Sequence, residues 1–300
     1  MLWALLLPGL LLAILVAIGW YFSDVVLYPK TFSAAACYNY EFKQGRMPSD
    51  GFPSWPQEEM WIDSPHGYPL YGAYLPLRGA KRTVIIAHGI TATLYSSVRY
   101  ATLFRALGFN LLLIEHRNHG RSGGAFTSYG VYEKDDLKAW VDWALERCPD
   151  CAIGVHGESM GAATALQHAA IDDRLAFVVA DCPFANARDE FTYRLKEEHG
   201  LPAFPIIPTA SLITRVRAGW FFGDAAPIAQ IAGVKTPVLF IHGADDAYIP
   251  PEASVALHAA KRGVKQLYLA PGADHAQAYQ ADPEAYEAVV REFLEATGVL

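Results

Sequence analysis

The chain has 300 residues, 52% hydrophobic and 18% charged, enough to build one large α/β domain around a buried core with an appended segment. That balance excludes a disordered or fibrous protein. The net charge of −7 comes without a long basic run, which argues against nucleic acid as a partner, because phosphate binding needs clustered Lys and Arg.

The first 22 residues carry no charged side chain, and as a helix rising about 1.5 Å per residue they would span roughly 33 Å, the thickness of a bilayer core. A cleaved signal peptide fits less well. No Lys or Arg precedes the apolar run, and the run exceeds the roughly 7–15 residues of a signal's apolar region. Residues 1–22 are therefore expected to be a retained single-pass anchor. Lys30, Lys43 and Arg46 follow the span, which leans towards a cytoplasmic domain, although Asp24 and Glu41 dilute the bias. Residues 23–57 are rich in aromatics, Pro and Gly without a steady period and read as a connector.

From Glu58 to Leu300 short apolar runs alternate with helical patterns, the βαβ rhythm of a mainly parallel sheet with helices on both faces. Met60–Ile62 and Leu70–Tyr74 flank a Pro65-His66-Gly67 turn and predict an antiparallel opening hairpin. Parallel strands are predicted over Thr83–His88, Asn110–His116, Ala152–His156, Phe177–Asp181, Pro237–Ile241 and Gln266–Leu269. Helices fall near 95–107, 133–147, 160–170, 252–261 and 284–296. The stretch from about 185 to 235 breaks the rhythm and reads as an inserted lid, or else as a crossover with long loops. Cys148-Pro149-Asp150-Cys151 has the spacing of a redox motif or half a zinc site. With no second pair following, it reads as a structural joint between helix and strand.

The chemistry centres on Gly157-Glu158-Ser159-Met160-Gly161, which joins a buried-strand pattern to an Ala-rich helix. A serine at such a strand-turn-helix corner is held in a strained conformation, with Gly two residues away on either side where a side chain would collide. The helix behind it directs free N–H groups at the spot where an oxyanion would form. A serine hydroxyl needs a base and the base needs a carboxylate. Of ten histidines, His275 follows the last predicted strand at the same sheet edge as Ser159. The acid candidates are the neighbours Asp245 and Asp246 after the preceding strand; Asp274 is too close to His275 in sequence to face it. The backbone N–H of Met160 and that of Ile90, or alternatively Thr91, are the candidate oxyanion donors. His88 reads as a structural residue, and His242, His258 and His199 as structural or surface residues. His116 and His119 lack a third metal ligand, so neither a metal nor an organic cofactor is expected.

Taken together, His88-Gly89, His116–Gly124, Gly157–Gly161, Gly243–Pro250 and Gly272–His275 resemble the α/β-hydrolase superfamily, over about residues 58–300. In detail the chain is similar to bacterial membrane-anchored α/β hydrolases of the serine aminopeptidase or acyl esterase type. The resemblance implies an eight-stranded α/β-hydrolase fold, assigns the acid to Asp246, and puts the oxyanion donors at Ile90 and Met160. It also implies a Ser159, Asp246, His275 triad acting through an acyl-enzyme on a small-molecule acyl substrate. Ser159 excludes the members that use an aspartate nucleophile. Phe204, Ile206, Ile207, Trp220, Phe221 and Phe222 in the lid point to an ester with an apolar, lipid-like acyl part, or else simply pack the lid. A peptidase or amidase, for which Glu190, Glu197 and Glu198 could hold a substrate amine, remains open. So do an acyltransferase and a non-catalytic membrane-tethered binding protein.

Overall fold

The computed structural model describes residues 2–47, 52 and 55–300. Met1 of the predicted anchor and residues 48–51, 53 and 54 of the predicted connector lie outside the described residues. In chain order the elements are α1 (Leu2–Leu27), α2 (Ala34–Lys43), β1 (Glu58–Asp63), β2 (Pro69–Leu75), β3 (Arg82–Ala87), α3 (Leu94–Ala106) and β4 (Asn110–Ile114). There follow α4 (Glu133–Arg147), β5 (Ala152–Glu158), α5 (Met160–Ala169), β6 (Phe177–Asp181), α6 (Ala187–His199), α7 (Ala203–Ala218) and α8 (Pro227–Gln230). The chain closes with β7 (Val238–Gly243), α9 (Glu252–Ala260), β8 (Lys265–Ala270), α10 (Ala278–Ala281) and α11 (Pro283–Ala296).

The eight strands form one sheet in the order β1-β2-β4-β3-β5-β6-β7-β8. The opening hairpin β1–β2 is antiparallel and joins β4 antiparallel, while β4, β3, β5, β6, β7 and β8 pair parallel. Helices cover both faces, as the alternation of patterns requires. On one face, α3 and α11 bring Phe104, Tyr286 and Phe293 against Leu113, Phe177 and Leu239. On the other, Trp140 and Val141 of α4 and Ala162, Ala165 and Leu166 of α5 pack on Leu112, Ile114, Val178 and Phe240. Parallel strands enclosed in this way have no polar face, which is why β3 and β4 read as unbroken apolar runs.

A third apolar cluster lies over the carboxyl ends of the strands and joins the last turn of α1, through Val26 and Leu27, to Phe184, Leu195, Ile206, Ile207, Trp220 and Phe222. Full burial of a side chain such as Leu27 contributes about 1.5–3 kcal/mol, so the helical insertion between β6 and β7 and the end of α1 hold each other in place. Two local differences from the sequence expectation bear on this. Helix α1 continues to Leu27, and a further helix, α2, occupies residues that carry no obvious period. That helix buries only Cys37 and Glu41, one turn apart, against α3, and Ser33 caps its start by accepting a hydrogen bond from the Ala36 N–H at 3.2 Å. A two-residue buried face that includes a Glu gives almost no apolar signal. Cys148 and Cys151 form a disulfide between α4 and β5.

Candidate active site

β5 runs to Glu158, two residues beyond the predicted His156, and delivers the chain directly to Ser159. Ser159 has φ 52° and ψ −114°, a left-handed conformation that costs a non-glycine residue of order 1–3 kcal/mol. The tightness of the corner explains its glycines: a Cβ on Gly157 would overlap the Gly161 carbonyl, and one on Gly161 the Ala87 carbonyl of β3. The Ser159 N–H is fixed by the Asp181 carbonyl at 2.8 Å, leaving the side chain facing a cavity above the sheet.

Three separate loops at the carboxyl ends of the strands bring Ser159, His275 and Asp246 into one hydrogen-bonded chain. Ser159 Oγ lies 3.1 Å from His275 Nε2, and His275 Nδ1 lies 2.7 Å from Asp246 Oδ2. The loops after β7 and β8 meet closely because Gly243 has no side chain; a Cβ there would overlap the Ala273 carbonyl. Asp246 is buried, whereas Asp245 is exposed and makes no side-chain hydrogen bond to His275. Asp274 accepts hydrogen bonds from the His275 and Ala247 N–H groups, so it ties the two loops together without facing the imidazole.

Both oxygens of the Asp246 carboxylate are engaged. Its Oδ1 accepts from the Tyr248 and Ile249 N–H groups, both at 2.9 Å, and its Oδ2 lies 3.2 Å from His242 Nε2 in addition to His275. Burial alone would raise this carboxyl, but the hydrogen bonds from His242, His275 and the Ile249 N–H outweigh it and hold it well below the usual carboxylate range. His242 itself is oriented by Ser254 Oγ at 2.7 Å and the Ile249 carbonyl at 2.9 Å. The sequence marks His242 only as a structural or surface residue; nothing in its spacing reveals that it braces the acid.

The loop after β3 is held by three buried, neutral histidines. His88 Nδ1 pairs with the Gly89 carbonyl at 2.7 Å, and its Nε2 accepts the His116 N–H at 3.1 Å, which draws His116 out of β4 and ends that strand at Ile114. His119 Nδ1 pairs with the Arg117 carbonyl and its Nε2 accepts the Thr91 N–H at 3.2 Å. Burial lowers all three imidazoles, His88 well below its ordinary range and His116 to about 4 with His119 contributing. The Thr91 N–H is engaged, whereas the Ile90 N–H, like that of Gly89, has no acceptor among the described residues. The Met160 N–H, at the first position of α5, likewise has none.

Ile90, Met160 and Ser159 all line one cavity of about 120 Å³. Its remaining walls include Tyr129, Phe184, Phe191, Tyr248 and Ile249, with Glu190, Arg194 and Glu198 from α6 and Val25 and Val26 from the end of α1. Glu190 is one of the three α6 carboxylates that the sequence offers as a possible holder of a substrate amine. The structure half-buries it in this wall, where burial, partly offset by Arg194, pushes its carboxyl up to about 7. The contribution of Val25 and Val26 was also missed, since an apolar run announces a span but not where its end docks. A more open groove of about 770 Å³ near Arg78, Lys81 and Val299 lies at the opposite, amino ends of the strands, far from Ser159. Among the described residues the one cluster able to offer three metal-ligating atoms is Cys182, Asp246 and His275. Two of these are already hydrogen-bonded in the chain above, and burial raises the Cys182 thiol well above its ordinary range, so it is not a thiolate ligand.

Comparison with known proteins agrees with this architecture. Residues 82–206 match the family model described as alpha/beta hydrolase fold. The chain is 38% identical over 294 residues to the uncharacterized protein YqkD of Bacillus subtilis (strain 168), covering 97% of this chain and 96% of that protein. It is 27% identical over 244 residues to the uncharacterized protein Rv2307c of Mycobacterium tuberculosis (strain ATCC 25618 / H37Rv), covering 80% and 79%. Among solved structures, the esterase Pf2001 of Pyrococcus furiosus superposes with a TM-score of 0.68 at 26% identity, covering 84% of this chain and 96% of that one.

Proposed function

Because this chain belongs to the α/β-hydrolase family and is a hydrolase, we propose that it is a serine hydrolase cleaving carboxylic esters through Ser159, His275 and Asp246. The observation that carries this reading is the continuous Asp246–His275–Ser159 hydrogen-bond chain, opening on a cavity lined by Ile90 and Met160, whose N–H groups have no acceptor among the described residues. Ser159 Oγ attacks the ester carbonyl as His275 Nε2 takes its proton. The resulting oxyanion lies against the Ile90 and Met160 N–H groups, and Asp246 stabilises the imidazolium. Collapse expels the alkoxide, which takes the proton from His275 and leaves an acyl group on Ser159. Water, deprotonated by His275, then attacks that acyl group and frees the acid and the serine. No step calls for a metal or organic cofactor.

The walls supplied by Val25, Val26, Phe184, Phe191 and Ile249 favour an apolar acyl group. In this reading α6 and α7 form a lid over the site, and α1 is a retained single-pass anchor with the catalytic domain on the cytoplasmic side. The anchor reading draws on Leu7–Leu27, a stretch long and apolar enough to cross a membrane, with mean hydropathy 2.2. The similarity to an esterase of known structure supports the ester preference. A peptidase or amidase with the same triad would need a fixed anion for a substrate amine. Glu190 serves poorly, being largely protonated below neutrality. Comparing kcat/KM for p-nitrophenyl esters with that for aminoacyl anilides tests the choice. Esters are expected to react faster, and faster cleavage of the anilides would reject the ester preference.

Glu190 also gives the site a pH dependence in binding. Its raised carboxyl is neutral below about 7 and ionises above it, placing a charge in a half-buried apolar wall. KM for an uncharged apolar ester is therefore expected to rise several-fold, as an order of magnitude, between about pH 6 and pH 8. In Glu190→Gln the KM should be flat over that window; an unchanged pH dependence in that variant would remove Glu190 from the pocket's account.

A further inference from the structure

We infer that helix α7 is seated in the same bilayer that α1 enters, and that the Ser159 cavity opens along these two helices to the hydrocarbon, so that the substrate is an ester whose acyl chain resides in the membrane. The inference rests on the serine-hydrolase reading above for the chemistry and on the α1–α7 contact for the geometry.

Over Leu7–Leu27 α1 is largely free of protein contact, only 22% of the span being buried, and Leu7, Leu10, Leu11, Leu12 and Ile14 are exposed. Its last turns are docked on α7. A Cβ at Gly19 would lie 2.7 Å from Thr209 Cγ2 and 3.1 Å from Ile213 Cδ1. Further along, Ser23 Oγ is 2.9 Å from Thr214 Oγ1, and Arg217 pairs with Asp24 at 2.5 Å. Contacts advance together along both helices, from 19 to 24 on α1 and from 209 to 217 on α7, so the two run parallel. The amino-terminal half of α7 therefore lies back along the apolar body of α1.

That half carries no charge: between His199 and Arg215 there is no acidic or basic side chain. Exposed positions in this uncharged stretch include Leu201 just before α7, Phe204 at 80% and, in the second half of the helix, Leu212 at 57%. A single exposed Phe means little. A fifteen-residue uncharged stretch thus exposes apolar side chains beside a membrane-length helix, with Arg188 and Asp189 of α6 bordering the groove that Phe204 lines. The polar boundary falls where Trp20 and Asp24 of α1 stand beside Arg217 of α7, whose guanidinium lies 4.3 Å from the Trp20 ring. Aromatic and basic side chains mark such a level at a bilayer interface.

Immediately above this boundary, Val25 and Val26 wall the cavity that contains Ser159. A second cavity of about 70 Å³ shares Val25, Val26, Phe191, Arg194 and Glu198 with the first and is closed by Phe22 of α1 and Ile207 of α7. The two cavities adjoin at these shared residues between the nucleophile and the α1–α7 seam, with the Arg194–Glu198 pair and His199 in their walls. At about 1.5 Å per residue, Val26 stands roughly 9 Å along the axis from Trp20, so a bilayer ester has to lift its carbonyl out of the interface to meet Ser159 while its chain trails back along the seam.

Two measurements on the full chain in phosphatidylcholine vesicles test the inference. In Phe204→Cys, labelled with an environment-sensitive fluorophore, quenching by spin-labelled acyl chains and protection from aqueous iodide are expected; the reverse pattern would overturn the seating of α7. The double variant Phe204→Glu/Leu212→Glu is expected to keep its rate on dissolved p-nitrophenyl butyrate. On a long-chain fluorogenic ester carried in the vesicles it is expected to lose about ten-fold, since each charge is costly in hydrocarbon. Unchanged hydrolysis of the vesicle-borne ester would overturn the inference while leaving the ester reading intact. Failure of the unmodified chain on both esters would count against the catalytic reading, and the quenching result would still decide where α7 lies.

Discussion

Ser159→Ala is expected to lower kcat by about 10⁵- to 10⁶-fold and Asp246→Asn by about 10⁴-fold, both without loss of fold. The first removes the atom that attacks. The second acts through the imidazole: Asp246 Oδ2 accepts from His275 Nδ1, which leaves Nε2 as the acceptor facing Ser159 Oγ. An Asn can instead donate to Nδ1, and the imidazole then carries its proton on Nε2, where it cannot take the serine's. Tyr248 and Ile249 N–H groups would still find the Asn carbonyl oxygen, so the loop should persist. Steady-state kinetics on p-nitrophenyl butyrate, with circular dichroism to verify folding, checks both. A folded Asp246→Asn variant of near-normal kcat would mean that another group orients His275.

The second large effect lies beneath the nucleophile. Glu158, directly before Ser159, is buried and paired with the buried Arg99 guanidinium, and its Oε2 also accepts from Tyr100 Oη at 2.6 Å. Asp181, on the neighbouring strand, accepts from Tyr286 Oη at 3.0 Å, and burial together with the charge of Glu158 pushes its carboxyl up to about 6. Glu41, raised chiefly by burial and lowered by Arg99, faces the same cation. Arg99 is thus the buried cation serving three carboxyl groups. Arg99→Leu is expected to destabilise the domain by about 3–5 kcal/mol, because it leaves buried carboxylates unpaired. The midpoint of urea unfolding reads this out. Adding Glu158→Gln to Arg99→Leu should recover a substantial part of the loss, since the stranded charge is then gone. Equal stability of Arg99→Leu and the unmodified chain would show that the cluster is solvated or protonated and that Arg99 carries no such burden.

Much of the sheet and the corner around Ser159 could be read directly from residues whose chemistry leaves few options. Unbroken apolar runs in β3, β4 and β6 permit only enclosed strands, and Gly157 and Gly161 stand where a side chain would collide with neighbouring backbone. Choosing between Asp245 and Asp246 was beyond residue-level reasoning, because the choice depends on how Gly243 lets two distant loops meet. The parts that could not be read are long-range contacts without a local pattern: His242 under Asp246, Glu190 in the cavity wall, and the end of α1 against Ser159's pocket. Helix α2 escaped for the opposite reason, its buried face being too small to leave a period.

The central claim is that Ser159 is an activated nucleophile. Treating the full chain with a fluorophosphonate probe tests it most directly, because only a serine poised beside a base and oxyanion donors reacts rapidly with phosphorus. Stoichiometric labelling of the unmodified chain and none of Ser159→Ala is the expected result. An unlabelled chain, or equal labelling of the two, would contradict it.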